Sequence, residues 1–185
     1  MKALLVVDVQ NDFCPGGALP APEGDKVVPV INKLMDKFPL VLASKDWHPE
    51  DTIHFKRWPV HCVRGTKGAE LHPDLKKEKI SFILLKGTGN KDDGYSAFEA
   101  TNVDLKEYFN QHKIKEVYIA GLTLEYCVKL TAIDAIKSGF KAIVIQDAIK
   151  GINEKPGDVE QAVYEMKIAG VIFINSNDIT TGLKQ

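Results

Sequence analysis

The chain has 185 residues, of which 44% are hydrophobic and 26% are charged, a composition that suits a globular protein with one sizeable buried core. We therefore predict a single domain over residues 1–185. The formal net charge of −1 gives no field that would attract a polyanion, so nucleic acid is not an expected partner. The first apolar run, Ala3–Val7, is too short for a secretory or membrane-spanning segment, so we expect a cytoplasmic protein without membrane contact.

Short apolar runs alternate with segments whose apolar residues recur at helical spacing. In chain order, the predicted elements are strand Ala3–Val7, helix Asp25–Lys37, strand Leu40–Ala43, strand Ile80–Leu85, helix Asp104–His112, strand Glu116–Ala120, helix Tyr126–Ser138, strand Ala142–Ile145, helix Asp158–Ala169 and strand Val171–Ile174. The strand runs lack polar alternation, which is typical of strands buried on both faces of a sheet. The pattern predicts an α/β fold, a three-layer α/β/α sandwich of Rossmann-like type with a mainly parallel sheet of about six strands.

Reactive side chains follow several of the predicted strands. Asp8 follows the first strand, Asp46 and His48 follow the second, Lys86 follows the third, and Cys127 comes shortly after the fourth. In open parallel sheets, ligands bind beyond the carboxyl ends of the strands. We therefore expect these groups to share one edge of the sheet.

Cys127 is predicted to lie at or near the N-terminus of a helix. The helix dipole and the unpaired amides there should lower the pKa of a thiol, and the same amides could receive an oxyanion during acyl transfer. The alternative is a small buried helix residue, which is the role of most free cysteines. Cys14 and Cys62 lack a comparable setting, so both are expected to be packing residues.

Asp8 and Lys86 each end an apolar run. Asp8 could take the proton of a thiol and later give it to a leaving amine, or it could simply cap the following turn. A lysine at a buried strand end needs an anionic partner, and either Asp8 or a Cys127 thiolate would serve.

The predicted loop region 46–80 carries a cluster of metal-ligating residue types. Asp46 and His48 project to the same side of an extended segment, and His61 can return to them through the loop. Three ligands leave coordination positions open, which suits a metal that binds water or a substrate atom. The alternative is a histidine-rich surface loop.

Several motifs together resemble the nicotinamidases of the isochorismatase-like cysteine hydrolase superfamily. They are DVQNDF from Asp8, PGGALPAPEGD at Pro15–Asp25, DWHP at Asp46–Pro49, WPVHCVRGTKGAELHP at Trp58–Pro73, Lys86, and GLTLEYCV at Gly121–Val128. The Asp, Lys and Cys positions alone would support only the superfamily. The DxH motif together with the WPxHC segment supports the nicotinamidase branch.

The resemblance assigns roles to individual residues. It implies a catalytic triad and a set of metal ligands, which are Asp8, Lys86 and Cys127, and Asp46, His48 and His61, respectively. It also implies a cis Leu122–Thr123 peptide bond and an oxyanion hole formed by the amides of Thr123 and Cys127. The aromatic walls for a pyridine ring would be Phe13, Trp58 and Tyr95, each of which could equally be a packing residue.

His54 departs from the family pattern. Members of the family often carry a serine at this position, where it supports a metal-bound water. His54 could be a fourth ligand, could hold the water itself, or could point to solvent.

The activity implied by the resemblance is hydrolysis of nicotinamide to nicotinate and ammonia through a cysteine thioester, in NAD salvage, with pyrazinamide as a further expected substrate. One divalent metal is implied, with zinc as the first expectation and iron or manganese as alternatives. An alternative enzyme is a related cysteine amidohydrolase that acts on another small amide or carbamoyl compound. A noncatalytic metal-binding or nucleotide-binding module is disfavoured by the complete triad that the resemblance implies. A nucleotide-binding module should also show a Gly-rich turn after the first strand, and none follows it. A homo-oligomer is left open.

Overall fold

The structure of the protein is a computed structural model that describes residues 1–179. Within these residues, six strands form one sheet: β1 (Lys2–Val7), β2 (Val41–Asp46), β3 (Phe82–Lys86), β4 (Glu116–Leu122), β5 (Lys141–Lys150) and β6 (Ile172–Ile174). The strand order is β3-β2-β1-β4-β5-β6, and all neighbouring strands are parallel. The predicted α/β fold with a parallel sheet is confirmed. Residues 180–185 of the predicted domain lie outside the described residues.

Four helices cover the two faces of the sheet in the described part of the chain: α1 (Val27–Met35), α2 (Leu105–Gln111), α3 (Lys129–Lys137) and α4 (Asp158–Ile168). Leu4 and Val6 pack in a core with α1, whereas Leu5 and Val7 pack in a second core with α2, α3 and α4. Alternate residues of β1 therefore face opposite helical layers, which explains why the strand is apolar throughout.

Several strands extend further than predicted, and β2 and β3 do so with charged residues. Asp46 is the last residue of β2 and Lys86 the last residue of β3, and the two residues are directly paired in the parallel register. Their side chains form a buried ion pair. The two charges neutralise each other, so these polar residues can be buried in the strands. A prediction from apolar residues alone therefore ends both strands too early.

The predicted helix from Tyr126 to Ser138 begins later as a regular α-helix. Leu124–Val128 form a wider π-helical turn that leads directly into α3. Turns of this kind are rare in proteins overall, and those that do occur often lie at functional sites. Cys127 lies in this turn.

The long connection between β2 and β3 folds back over the edge of the sheet. His48 forms a bridge with Val63, and Gln10 forms a bridge with Leu71. The first bridge places the later part of this connection beside its own start. The second bridge places it beside the segment that follows β1. No described helix has the length and apolar character that crossing a membrane requires.

Gly121 near the end of β4 is expected to tolerate no side chain. Its φ angle is +120°, and a Cβ there would overlap the carbonyl oxygen of Val7 on β1. Gly121→Ala should therefore lower the free energy of unfolding by about 4 kcal/mol or more. Gly139→Ala is the matched control, because φ is +92° but no atom lies within 4 Å of the added Cβ. Gly139→Ala should lower the free energy of unfolding by only about 1–2 kcal/mol.

Urea unfolding of both variants checks this expectation. Equal losses of stability for Gly121→Ala and Gly139→Ala would show that backbone strain alone, rather than contact with β1, decides the cost.

Candidate active site and metal centre

Lys86 is the central side chain of the site. It is 0% exposed, and its ammonium group lies 2.8 Å from Asp8 Oδ2, 3.5 Å from Cys127 Sγ and within hydrogen-bond distance of Asp46 Oδ1. It also donates to the carbonyl oxygen of Gly94 at 2.8 Å. The three neighbouring strands β1, β2 and β3 supply Asp8, Asp46 and Lys86 from the same end of the sheet, as the sequence predicts.

Asp8 is fully buried next to this lysine. Its Oδ1 accepts a hydrogen bond from Ser44 Oγ at 2.7 Å. Its Oδ2 forms the ion pair with Lys86 but has no aligned hydrogen-bond donor among the described residues. Burial raises the pKa of Asp8 above its ordinary value, against the opposing charge of Lys86. Asp8 is therefore a carboxylate with a free lone pair and increased basicity.

Cys127 is also buried, and one expectation about it is wrong. Burial raises the pKa of the Cys127 thiol well above its ordinary value, although the Lys86 charge opposes the rise. The helix dipole had predicted a lowered pKa. Removal from water outweighs the dipole here, because the thiol lies inside the protein and not at an exposed helix end. At neutral pH the group is a thiol, and a neighbouring base must take its proton.

The carboxylate oxygens of Asp8 and Asp46 and the sulfur of Cys127 lie within 4.8 Å of one another. Burial acts to raise the pKa of Asp46, but the adjacent Lys86 charge opposes it, and the pKa lies below its usual range. Burial likewise acts to lower the pKa of Lys86, whereas Asp46 and Asp8 raise it well above its usual range. Lys86 is a cation and Asp46 an anion at neutral pH.

Three histidines of the connection between β2 and β3 form a buried cluster. Their Nδ1 atoms each face an oxygen that can only accept: the carbonyl of Gly87 for His48 (3.0 Å), Asp92 Oδ1 for His54 (2.8 Å) and the carbonyl of Pro59 for His61 (2.6 Å). In a neutral ring with these contacts, Nδ1 carries the hydrogen and Nε2 keeps its lone pair. Ligand nitrogens of the three rings lie within 4.8 Å of one another.

This donor set fits a divalent metal. His48 Nε2 is buried without a hydrogen-bond partner among the described residues. Asp46 Oδ2 lies 3.6 Å from His48 Nε2 and 4.0 Å from His61 Nε2. Burial lowers the pKa of both His54 and His61, which favours the neutral form that binds metal. A bound cation would be coordinated by both the unpartnered nitrogen of His48 and the carboxylate oxygen of Asp46.

His54 belongs to this cluster. Its ring is 3% exposed and stacks on the ring of His48, with centroids 4.5 Å apart. The alternative in which His54 points to solvent is therefore wrong. The two remaining alternatives, a fourth metal ligand or a residue that holds water, both place it at the metal.

A cavity that is partly open to solvent connects the Cys127 thiol to two of the three histidines, His54 and His61. All three aromatic residues predicted for substrate binding line it, namely Phe13, Trp58 and Tyr95. Cys127, Thr123, Asp46, His54 and His61 line the same cavity. The peptide bond between Leu122 and Thr123 is cis, as the family resemblance implies.

Sequence reasoning missed several residues of the site. Tyr126, Leu19 and Ile152 also line the cavity, and only Tyr126 had a signal, because it adjoins Cys127. Gln10 holds the backbone of Asp46 at both ends: its Nε2 donates to the carbonyl oxygen and its Oε1 accepts from the amide, both at 2.8 Å. Its position two residues after Asp8 at the strand end was a usable signal.

Glu125 was also missed. Its side chain is buried in the turn before Cys127, where Oε1 accepts a hydrogen bond from the amide of Asn153. Ile152, the neighbour of Asn153, lines the cavity. Glu125 thus ties the turn that carries the thiol to the segment that forms one cavity wall.

Comparisons with known proteins identify the family of the chain. Residues 2–178 match the model of the isochorismatase domain family. A nicotinamidase of Escherichia coli is 39% identical, with 96% of each chain covered. The structure of a nicotinamidase/pyrazinamidase of Acinetobacter baumannii superposes with a TM-score of 0.91 at 39% identity, covering 97% of this chain and 98% of the other.

The structure of a pyrazinamidase of Pyrococcus horikoshii in complex with zinc is 44% identical, with a TM-score of 0.84 and coverage of 94% of this chain and 98% of that chain. The family match spans nearly all of the described residues, and these relatives match over almost their whole length. The chain therefore belongs to the isochorismatase domain family, in the branch of the nicotinamidases.

Proposed function

We propose that this protein hydrolyses nicotinamide to nicotinate and ammonia through a thioester on Cys127. The observation that carries the proposal is the shared cavity: a buried thiol with an adjacent base and cation opens into the same space as a histidine cluster suited to a metal. Asp46 links the two halves, because it contacts both Lys86 and the histidines. A small amide with a ring nitrogen can place its amide carbon at the thiol and its ring nitrogen at the histidine cluster in the same bound position.

Asp8 is the proposed base. It takes the proton of Cys127, and the resulting thiolate attacks the amide carbon to form the carbon–sulfur bond. Asp8 then gives the proton to the departing nitrogen, which leaves as ammonia when the carbon–nitrogen bond breaks. Water cleaves the thioester, releasing nicotinate and restoring the thiol. Lys86 stabilises the thiolate, since its Nζ lies 3.5 Å from Sγ.

The oxyanion is proposed to bind the amides of Thr123 and Cys127. Thr123 is buried, lines the cavity as Cys127 does, and immediately precedes the π-helical turn as its N-cap residue. Backbone amides at such a turn are fixed in place before the reaction, so they stabilise the developing charge without reorganising.

The proposed metal ligands are Asp46, His48 and His61, with His54 as a further ligand or water-holding group. When bound, a divalent metal would offer a coordination position to the pyridine nitrogen and so orient the carboxamide. Imidazole and carboxylate donors suit zinc, iron and manganese. We propose zinc, since the related pyrazinamidase of Pyrococcus horikoshii binds it. Phe13, Trp58 and Tyr95 would enclose the ring, and a pyrazine ring amide such as pyrazinamide would fit the same walls.

Replacing the thiol tests the central claim. The purified, metal-loaded protein should release ammonia from nicotinamide, and Cys127→Ala should lower kcat by about 10⁴-fold or more, because no other group can form the acyl intermediate. Cys14→Ala is the matched control, since Cys14 is a buried core cysteine that is not among the residues lining the cavity and should be dispensable. A wild-type protein that releases no ammonia would refute the proposed function.

Removing the central cation should change both rate and pH dependence. Lys86→Met should lower kcat by about 10²–10³-fold, because the thiolate loses its counter-charge. The pKa of Asp8 should rise further without Lys86, and a base acts only when ionised. The acid limb of the kcat/KM profile should therefore move to higher pH. Lys45→Met provides the control, since Lys45 is also nearly buried on β2 but pairs with Glu70 outside the site.

This profile is measured together with thermal unfolding, because the loss of a buried partner for two carboxylates also lowers stability. An unchanged acid limb in a folded Lys86→Met protein would argue against Asp8 as the base.

Metal removal gives a separate test. Dialysis against a strong chelator should abolish nicotinamide hydrolysis, and zinc, iron or manganese should restore it. His48→Ala should retain less zinc per chain than the wild type, measured by elemental analysis after gel filtration, because His48 Nε2 is the unpartnered buried nitrogen. His112→Ala, at an exposed histidine outside the site, should bind as the wild type does. Full zinc retention by His48→Ala would remove this histidine from the ligand set.

A further inference from the structure

Asp92 lies at the rim of the site on the segment that follows β3. Its Oδ1 accepts two hydrogen bonds, from His54 Nδ1 at 2.8 Å and from the Tyr95 hydroxyl at 2.8 Å. The chemistry proposed above uses neither contact. A single carboxylate oxygen thus touches one residue of the metal cluster and one residue of the cavity wall.

The hydrogen-bonded chain continues from Tyr95 into the wall. The indole Nε1 of Trp58 donates to the Tyr95 hydroxyl oxygen at 2.9 Å. Since the tyrosine hydroxyl gives its only hydrogen to Asp92, its lone pair remains to accept from Trp58. The direction of every hydrogen bond in the chain is therefore determined by the carboxylate at its end.

Two further contacts help to dock the segment that carries Asp92. Asn90 Oδ1 accepts from the amide of Ile53 at 2.7 Å, and Arg57 Nη1 lies 4.0 Å from Asp92 Oδ2. Asn90 touches neither the histidine rings nor the aromatic wall. The docking contact of Asn90 can thus be removed without changing a contact that Asp92 makes.

We propose that Asp92 is a positioning residue that couples the metal site to the substrate cavity. This inference rests on the proposed function. The carboxylate fixes the hydrogen of His54 on Nδ1, so that Nε2 faces the metal cluster with its lone pair. The same oxygen holds Tyr95, and through it Trp58, at the cavity wall. Ring binding and metal binding thus share one anchor, and each should strengthen the other.

Four variants separate the two arms: Asp92→Ala, Tyr95→Phe, Asn90→Ala and Asp93→Ala. Asp92→Ala should weaken zinc binding by about 10-fold or more, measured by competition with a chromophoric zinc chelator, and should also raise KM for nicotinamide. Tyr95→Phe removes the link to Trp58 but leaves the His54 contact. It should raise KM at unchanged zinc affinity.

Two controls exclude a merely structural role. Asn90→Ala removes a docking contact of the same segment, and Asp93→Ala removes the neighbouring charge; both should bind zinc as the wild type does. Equal loss of zinc affinity in Asn90→Ala and Asp92→Ala would overturn the proposal, because docking alone would then explain it. Wild-type zinc affinity in Asp92→Ala would also overturn it.

The zinc titration needs no turnover. If the wild type binds zinc but hydrolyses no nicotinamide, the proposed function fails while the metal arm of the Asp92 proposal is still decided by the four variants. Thermal unfolding of each variant, measured without zinc, establishes that all are folded at the assay temperature.

Discussion

The site depends on one buried cation, the Lys86 ammonium, held between the carboxylates of Asp8 and Asp46. Transfer of an ion from water into a protein interior costs several kcal/mol, so this lysine is stable only with partners at hydrogen-bond distance. The three groups come from the ends of three adjacent parallel strands, and Asp46 and Lys86 are direct register partners. A shift of β3 by one residue would leave three charges without their partners. The ion pair therefore forms only in this register of β2 and β3, and the packing of the sheet keeps the strands in it.

The two carboxylates beside this cation have opposite pKa shifts. Asp8 is completely enclosed and its pKa is raised by burial, whereas the pKa of Asp46 is lowered, with the Lys86 charge as the main cause opposing its burial. Two carboxyl groups whose environments separate their pKa values are suited to different tasks. Asp8 faces the thiol and is suited to proton transfer. Asp46 faces the histidines and stays ionised, as a metal ligand must.

Much of this arrangement could be predicted from the sequence, and the missing part has a physical reason. Apolar runs predict buried parallel strands, and the rule for strand ends then brings Asp8, Asp46 and Lys86 together. Gln10 and Asp92 escaped prediction because their roles arise from contacts 36 and 38 residues away in the chain, at loops without periodicity. The pKa of Cys127 was predicted in the wrong direction, because a local argument about helix dipoles contains no information on burial.

A buried thiol with a raised pKa could look like a poor nucleophile, but the network around it argues otherwise. Before reaction, the negative charge next to Lys86 resides on Asp8 Oδ2, at 2.8 Å from Nζ. Transfer of the thiol proton moves this charge to Cys127 Sγ, at 3.5 Å from the same Nζ. The net charge of the buried group does not change, so the transfer requires no new solvation from water. Burial raises the pKa of both the Cys127 thiol and the Asp8 carboxyl group. Because both pKa values shift in the same direction, burial does not by itself oppose proton transfer between the two groups, and it keeps the resting thiol protonated.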